Sequence, residues 1–116
     1  MNNDVLADLA SVIKARRAAK SDASYTRQLL EAGPITCAKK FGEEAVEVVI
    51  AATGQSADEL TAEAADVLYH LLVLLESRDV AWTDVLTKLR SRQGTSGLAE
   101  KAARTATTSP NSKPKS

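Results

Sequence analysis

Residues 39–52 read KKFGEEAVEVVIAA, and residues 59–75 read ELTAEAADVLYHLLVLL. In both stretches the apolar residues recur every three or four positions, which is the spacing of an amphipathic α-helix. Gly54 stands where a helix commonly receives its C-terminal cap, and Ser56 with Glu59 three residues later forms a capping box that opens the next helix. So short a link predicts two long antiparallel helices packed as a hairpin.

The hairpin is rich in acidic residues. Between positions 43 and 66 there are seven acids and no Lys or Arg. At 100° per residue, Glu44 and Glu47 point to the same side of the first helix, with Glu43 about 60° away. An arc of about 60° on the second helix holds Glu59, Glu63, Asp66 and His70. If the two acidic stripes face each other, four carboxylates meet: Glu44, Glu47, Glu63 and Asp66.

Carboxylates that close repel one another, and this repulsion predicts a bound cation. A solvated acidic face is the alternative, but such a surface normally mixes in Lys and Arg at i,i+4 spacing, and none is present here. Hard oxygen ligands select magnesium, manganese or calcium. Magnesium keeps several waters and binds substrate phosphates, which suits an open carboxylate face. The sequence therefore predicts a magnesium site for phosphate chemistry, with manganese as the alternative metal.

Three further helices are predicted around the hairpin. The hydrophobic residues make up 44% of the chain and the aromatic residues only 3%, so the core is aliphatic and suits closely packed helices. We predict an all-α bundle of four to five helices, completed by dimerisation. The predicted helices are Val5 to about Lys20, Ser24 (as N-cap) to Gly33, Ile35 or Thr36 to Ala52, Ser56 to about Arg78, and Trp82 to Arg92.

The end of the chain differs in composition from the rest. Residues 93–116 contain one large aliphatic residue, Leu98, and Ser, Thr, Pro and Lys dominate the final part. Such a segment cannot bury enough apolar area to offset the entropy lost on ordering. We therefore predict one helical domain in residues 1–92 and a disordered tail in residues 93–116.

Charge and cysteine content argue against several classes of protein. Fifteen basic and fifteen acidic residues give a net charge of zero, which predicts neither a nucleic acid nor an anionic membrane as partner. Cys37 is the sole cysteine, so no disulfide forms within the chain, and we interpret it as a small core residue. No stretch approaches 18 uncharged apolar residues, and no secretory leader pattern begins the chain. We expect a cytoplasmic protein.

Several of these segments resemble a known family. Ser24-Tyr25-Thr26, Gly33 and the two quoted stretches are similar to the phosphoribosyl-ATP pyrophosphohydrolases of histidine biosynthesis. That family belongs to the all-α nucleotide pyrophosphohydrolase superfamily, which includes the MazG-like enzymes. The superfamily pattern E-x-x-E, a spacer, then E-x-x-D is met by Glu44, Glu47, Glu63 and Asp66. The longer strings around these acids resemble the histidine branch more than the house-cleaning triphosphatases.

The resemblance implies hydrolysis of 1-(5-phosphoribosyl)-ATP to 1-(5-phosphoribosyl)-AMP and pyrophosphate. The four carboxylates of the pattern would hold magnesium, and Glu43 or Glu47 would take the proton of the attacking water, which makes Glu44, Glu47 and Glu43 the candidate catalytic residues. Candidate substrate contacts are Lys39, Lys40, His70, Ser24, Tyr25 and Thr26. Structural alternatives remain open: Ser24 as a helix cap, Tyr25 and His70 as packing residues, and Lys39 as a solvated lysine.

Two other functions fit the same residues. A house-cleaning nucleoside triphosphate pyrophosphohydrolase would use the same metal site, and a non-catalytic helical module would use the acidic face to bind a basic partner. A di-iron carboxylate protein is excluded because such sites need Glu-x-x-His on two helices, and Val67 stands three residues before His70, the sole histidine.

The hairpin also carries a second apolar side. Val46 and Ile50 point away from Phe41, Val48 and Ala52. One of these two sides is free to form a subunit interface, and the family resemblance implies a homodimer with a small nucleotide substrate.

Overall fold

The computed structural model describes residues 4–19 and 24–93, and these residues form five α-helices. The prediction of an all-α protein is confirmed. In chain order the helices are α1 (Val5–Ala18), α2 (Tyr25–Ala32), α3 (Pro34–Gly54), α4 (Ala57–Ser77) and α5 (Trp82–Arg92).

Three residues set the limits of α2 and the start of α3. Ser24 caps α2, because its side-chain oxygen accepts a hydrogen bond from the backbone N–H of Arg27. Gly33 ends α2 with a φ of +97°, a conformation that favours glycine. Helix α3 begins at Pro34 and not at Ile35 or Thr36 as predicted, because proline at the first helical position has a suitable φ and needs no N–H partner.

The hairpin of α3 and α4 forms as predicted, with a small difference at the link. Ser56 and Glu59 form the capping box, in which the Ser56 hydroxyl accepts from the Glu59 backbone N–H at 3.1 Å. Gly54 is the last helical residue and Gln55, in extended backbone, occupies the cap position, so the predicted glycine cap is wrong by one residue. Helices α1 and α4 end at Ala18 and Ser77, two residues and one residue before the predicted ends.

The core lies where α1, α2 and α3 pack on α4. Its buried residues are small or aliphatic, as the composition predicts: Ile13, Leu29, Cys37, Leu72 and Val73. Cys37 is buried, as predicted, and its thiol donates a hydrogen bond to the carbonyl of Leu29 at 3.2 Å. Tyr69 and Trp82 pack against this cluster as partly buried aromatic residues.

Two arginines hold the first two helices in place. Arg17 at the end of α1 donates to the carbonyl of Glu76 at 2.8 Å and pairs with the Asp79 carboxylate at 2.7 Å. Arg27 on α2 pairs with Glu31 at 2.6 Å and also donates to the carbonyl of Ala19. Arg17 therefore ties the end of α1 to the end of α4, and Arg27 ties α2 to the end of α1.

The packing divides the chain into two units between Asp84 and Val85. The first contains α1 to α4 and the start of α5; in the second, Val85 and Leu86 of α5 are half-buried and Leu89 is exposed. The predicted domain boundary at residue 92 stays a prediction, and the predicted tail, residues 93–116, lies outside the described residues apart from Gln93. Among the helices described, none combines the length and apolar character needed to cross a membrane.

Candidate metal centre and substrate site

Three of the predicted carboxylates converge between the hairpin helices. Glu44 on α3 and Glu63 and Asp66 on α4 each offer one oxygen, and these oxygens lie within 4.8 Å of one another. Glu44 and Glu63 are half-buried, whereas Asp66 is exposed. The capping box fixes where α4 starts, and the helical repeat then directs Glu63 and Asp66 towards α3. We call Glu44, Glu63 and Asp66 the carboxylate group.

The chemistry of this group suits a cation. Oxygen Oε2 of Glu63 is buried and has no hydrogen-bond partner among the described residues, which is costly for a carboxylate. Burial, reinforced by the negative charges of Asp66, Glu47 and Glu44, raises the pKa of Glu63. A hard divalent cation removes both costs, because it binds the unpartnered oxygen and neutralises the repulsion. The residues present therefore fit magnesium or manganese.

The raised pKa of Glu63 predicts an effect on stability. A carboxylate with a raised folded-state pKa destabilises the fold above that pKa, and the cost fades as the pH falls towards the ordinary glutamate range. In EDTA we expect Glu63→Gln to raise the melting temperature at pH 7.5, and the difference to shrink towards pH 4.5. The measurement is thermal unfolding followed by circular dichroism across this pH range.

The matched control is Asp58→Asn in the exposed first turn of α4. This change also removes one negative charge. Because the charge of Asp58 interacts favourably with the N-terminal end of the helix dipole, the melting temperature of Asp58→Asn should fall slightly. With saturating magnesium the wild type should have the higher melting temperature of the two. The reason is that a bound metal stabilises the folded wild type, whereas Glu63→Gln has lost a ligand and binds the metal weakly. A lower melting temperature of Glu63→Gln in EDTA would contradict the argument.

Glu47 and Glu43 lie near the carboxylate group but outside it. Glu47 contributes to the raised pKa of Glu63, so its charge acts on the group. Glu43 is exposed and pairs with Lys40, whose Nζ lies 3.3 Å from Oε1 of Glu43. The position of Glu47 as a fourth ligand, and of Glu43 or Glu47 as the base, stays a prediction.

Lys39 and Lys40 were both predicted to contact substrate, and Lys40 is the one that interacts with a residue of the carboxylate group, Glu44. The hydrogen bond to Glu43, followed by the nearby Tyr25, raises the pKa of Lys40, and the charge of Glu44 adds to the effect. Lys40 is therefore a cation beside the carboxylates. Lys39 is exposed on the neighbouring side of α3.

The three residues at the start of α2 have different surroundings. Ser24 is the helix cap, which agrees with the structural alternative for this residue. Tyr25 is 50% exposed and meets the His70 ring edge to face, with the ring centres 6.1 Å apart. Thr26 is only 7% exposed, and its hydroxyl lies 2.5 Å from the hydroxyl of Tyr69. Tyr25 alone presents much of its surface to a ligand.

His70 is buried beside the carboxylate group. Its side chain is among the best-enclosed polar groups described, and Nε2 lies 3.7 Å from Oε1 of Glu44. Burial lowers the pKa of His70, while the carboxylate of Glu44 opposes the shift, so the ring is mainly neutral at pH 7. The ring of Tyr69 also contacts the imidazole edge to face, with ring centres 5.0 Å apart. No role for Tyr69 is predicted from the sequence, although it directly precedes His70.

The fold and site together define a class of protein: a helical carboxylate-site protein suited to a hard divalent cation and the phosphate groups it binds. A sequence profile of the phosphoribosyl-ATP pyrophosphohydrolases matches residues 6–93, and the chain belongs to that family. The resemblance noted from the sequence is thereby confirmed, and with it the expectation of a hydrolase.

Curated relatives agree with the assignment. A phosphoribosyl-ATP pyrophosphatase of Ruegeria pomeroyi is 56% identical over 100 residues, which cover 86% of this chain and 95% of the relative. A phosphoribosyl-ATP pyrophosphatase of Dinoroseobacter shibae is also 56% identical and is covered over 98% of its length. One from Cereibacter sphaeroides is 53% identical, with 97% of its length covered. The similarity therefore spans nearly the whole of each relative.

Proposed function

We propose that this chain hydrolyses 1-(5-phosphoribosyl)-ATP to 1-(5-phosphoribosyl)-AMP and pyrophosphate, an early step of histidine biosynthesis, with magnesium held by the carboxylate group. The observation that carries the metal site is the convergence of three carboxylate oxygens within 4.8 Å, one residue of which has a buried and unpartnered oxygen. Glu47 is proposed as a further ligand, and manganese as an alternative metal.

The chain's own residues divide the remaining tasks. A bound divalent cation supplies charge neutralisation to phosphate oxygens and lowers the pKa of nearby water. Glu43, or Glu47 if the metal does not fully engage it, accepts the proton of the attacking water. Lys40 and Lys39 bind phosphate oxygens at the start of the acidic stripe. Tyr25 contacts the ribose or a phosphate at the exposed end of α2, and a substrate contact by the half-buried Ser24 stays a prediction.

His70 and Thr26 were also predicted to contact substrate. Both side chains are buried, and the hydroxyl of Thr26 is already bonded to Tyr69. Their burial supports a role that passes through neighbouring side chains. Direct substrate contact by either residue stays a prediction.

A substrate panel tests the proposed reaction. Purified protein is assayed for pyrophosphate release from phosphoribosyl-ATP, ATP and dUTP, each with magnesium, with manganese and with EDTA. We expect rapid release from phosphoribosyl-ATP only, supported by either metal and abolished by EDTA. Equal turnover of ATP or dUTP would favour a house-cleaning triphosphatase, and no turnover of any substrate would favour an acidic binding module.

We also propose a homodimer formed through the outer side of the hairpin. Val46, Val49 and Ile50 form an exposed apolar patch on α3, and Leu68 on α4 is exposed as well. Large apolar residues at i, i+3 and i+4 on the surface of a helix are typical of a helix–helix interface. A second copy placed there would turn the hairpin into part of a four-helix arrangement.

We place the protein in the cytoplasm, supported by its single buried cysteine and by its proposed biosynthetic role.

A further inference from the structure

Tyr69 joins two buried polar side chains that come from different helices. Its hydroxyl lies 2.5 Å from the Thr26 hydroxyl on α2, and its ring contacts the His70 ring at 5.0 Å with the planes at 78°. Thr26 and His70 are both buried. Thr26, Tyr69 and His70 therefore form a continuous column of polar side chains, which we call the tyrosine column.

The tyrosine column ends at a carboxylate of the proposed metal site. The imidazole Nε2 faces Oε1 of Glu44 at 3.7 Å, which is too long for a hydrogen bond but close enough to limit where the carboxylate lies. The rings of Tyr25 and Tyr69 both contact the imidazole edge to face, and the imidazole is buried. Because both rings limit its rotation, the imidazole presents a fixed edge to Glu44.

Packing alone does not require these polar groups. Phenylalanine at position 69 would fill nearly the same volume, and valine at position 26 nearly that of threonine. The two hydroxyls instead satisfy each other within an otherwise aliphatic core, and burial raises the pKa of the Tyr69 phenol and keeps it protonated. A buried hydrogen bond of this kind fixes orientation more than it adds stability.

We propose that Tyr69 and His70 are positioning residues, which hold Glu44 in the carboxylate group through the tyrosine column. This inference rests on the proposed function, in which Glu44 binds the metal. Thr26 fixes the phenol, the phenol ring fixes the imidazole, and the imidazole edge fixes Glu44. Groups that orient metal ligands commonly change metal affinity by about 10–100-fold when they are replaced.

The test measures metal binding directly. Manganese binding to the substrate-free protein is followed by electron paramagnetic resonance for wild type, Tyr69→Phe, Thr26→Val and the double variant. We expect each single change to weaken manganese binding by about fivefold or more, given that outer groups of this kind act on metal affinity. The double variant should be no weaker than either single variant, because both changes break the same hydrogen bond.

The kinetic readout separates positioning from substrate contact. In Tyr69→Phe we expect kcat to fall several-fold while KM for phosphoribosyl-ATP stays within twofold, and high magnesium should restore much of the lost rate. His70→Ala should weaken manganese binding about tenfold or more, and His70→Asn, which keeps a polar edge, should restore part of it. A KM effect without a change in manganese affinity would overturn the proposal.

A stability control separates positioning from general loosening. Ile13→Val removes one buried methyl group on α1, a helix that contributes no residue to the tyrosine column, from the core cluster against which Tyr69 packs. It should lower the melting temperature without changing manganese affinity. If Ile13→Val weakens manganese binding as much as Tyr69→Phe does, the effect is global and the proposal fails.

Asp66→Asn separates this inference from its premise. If Asp66→Asn abolishes manganese binding but Tyr69→Phe leaves it unchanged, the metal site stands and the tyrosine column has no positioning role. If Asp66→Asn does not affect manganese binding, the metal site itself is wrong and the inference falls with it.

Discussion

Asp66→Asn is expected to reduce the rate of pyrophosphate release on the order of 10³-fold, with little change in helix content or melting temperature. Asp66 contributes one oxygen to the carboxylate group but is exposed, so the fold does not depend on it. The amide is neutral and a weaker magnesium ligand than the carboxylate. The change therefore removes a charge from the metal site without leaving a buried group unpaired.

The control is Asp58→Asn, the same chemical change on the same helix two turns earlier. Asp58 is exposed and lies outside the carboxylate group, so its variant should retain wild-type activity within about twofold. The activity of both variants is measured as the initial rate at saturating phosphoribosyl-ATP and magnesium, and circular dichroism verifies that both variants fold. Activity of Asp66→Asn above about a tenth of wild type, or an equal loss in Asp58→Asn, would count against the proposed metal site.

The helices could be predicted because their signals are local. The Ser56 capping box, the stop at Gly33 and Pro34, and the apolar repeat all lie within a few residues of the feature they determine. The convergence of Glu63 and Asp66 on Glu44 could also be predicted from the sequence, because a short link leaves the two helices few ways to pack. The errors are one or two residues at helix ends, where the local signals compete.

The surroundings of His70 could not be predicted from the same patterns. Its contact with Tyr25 and the bond from Tyr69 to Thr26 depend on where α2 docks against α4, and they join residues over 40 positions apart. A helical periodicity gives the direction of a side chain on its own helix but not the element that it meets. For the same reason the pattern of α4 does not indicate which residues Tyr69 meets.

The sequence likewise did not show which apolar side of α3 faces the core of the chain and which is exposed. The helical pattern places Val46 and Ile50 on a different side from Phe41, Val48 and Ala52, but it leaves open which side is an interface. In the structure Val46, Val49 and Ile50 are exposed together and Ala52 is exposed as well, while Phe41 and Val48 are half-buried. Periodicity shows that a helix has two apolar sides, but tertiary packing decides which one the core of the same chain covers.

Val49→Glu is expected to convert the proposed dimer to a monomer. Val49 is 62% exposed in the single chain, at the centre of the patch formed with Val46 and Ile50. In a twofold interface one substitution introduces two charges, and each would be buried without a partner. We expect the dissociation constant to rise by at least about 100-fold, measured as a halved mass in size-exclusion chromatography with light scattering. Glutamate is a good helix former, so α3 itself should persist.

Val12→Glu is the matched control, because Val12 is 45% exposed on α1 and receives the same change. Its variant should keep the mass of the wild-type assembly. Pyrophosphate release from both variants, measured at the same protein concentrations, then shows whether the site works in a single chain. If Val49→Glu keeps the wild-type mass while Val12→Glu halves it, the interface lies on α1 and the proposed role of the outer hairpin is wrong. If wild type is already monomeric at micromolar concentration, the exposed valines of α3 need another explanation.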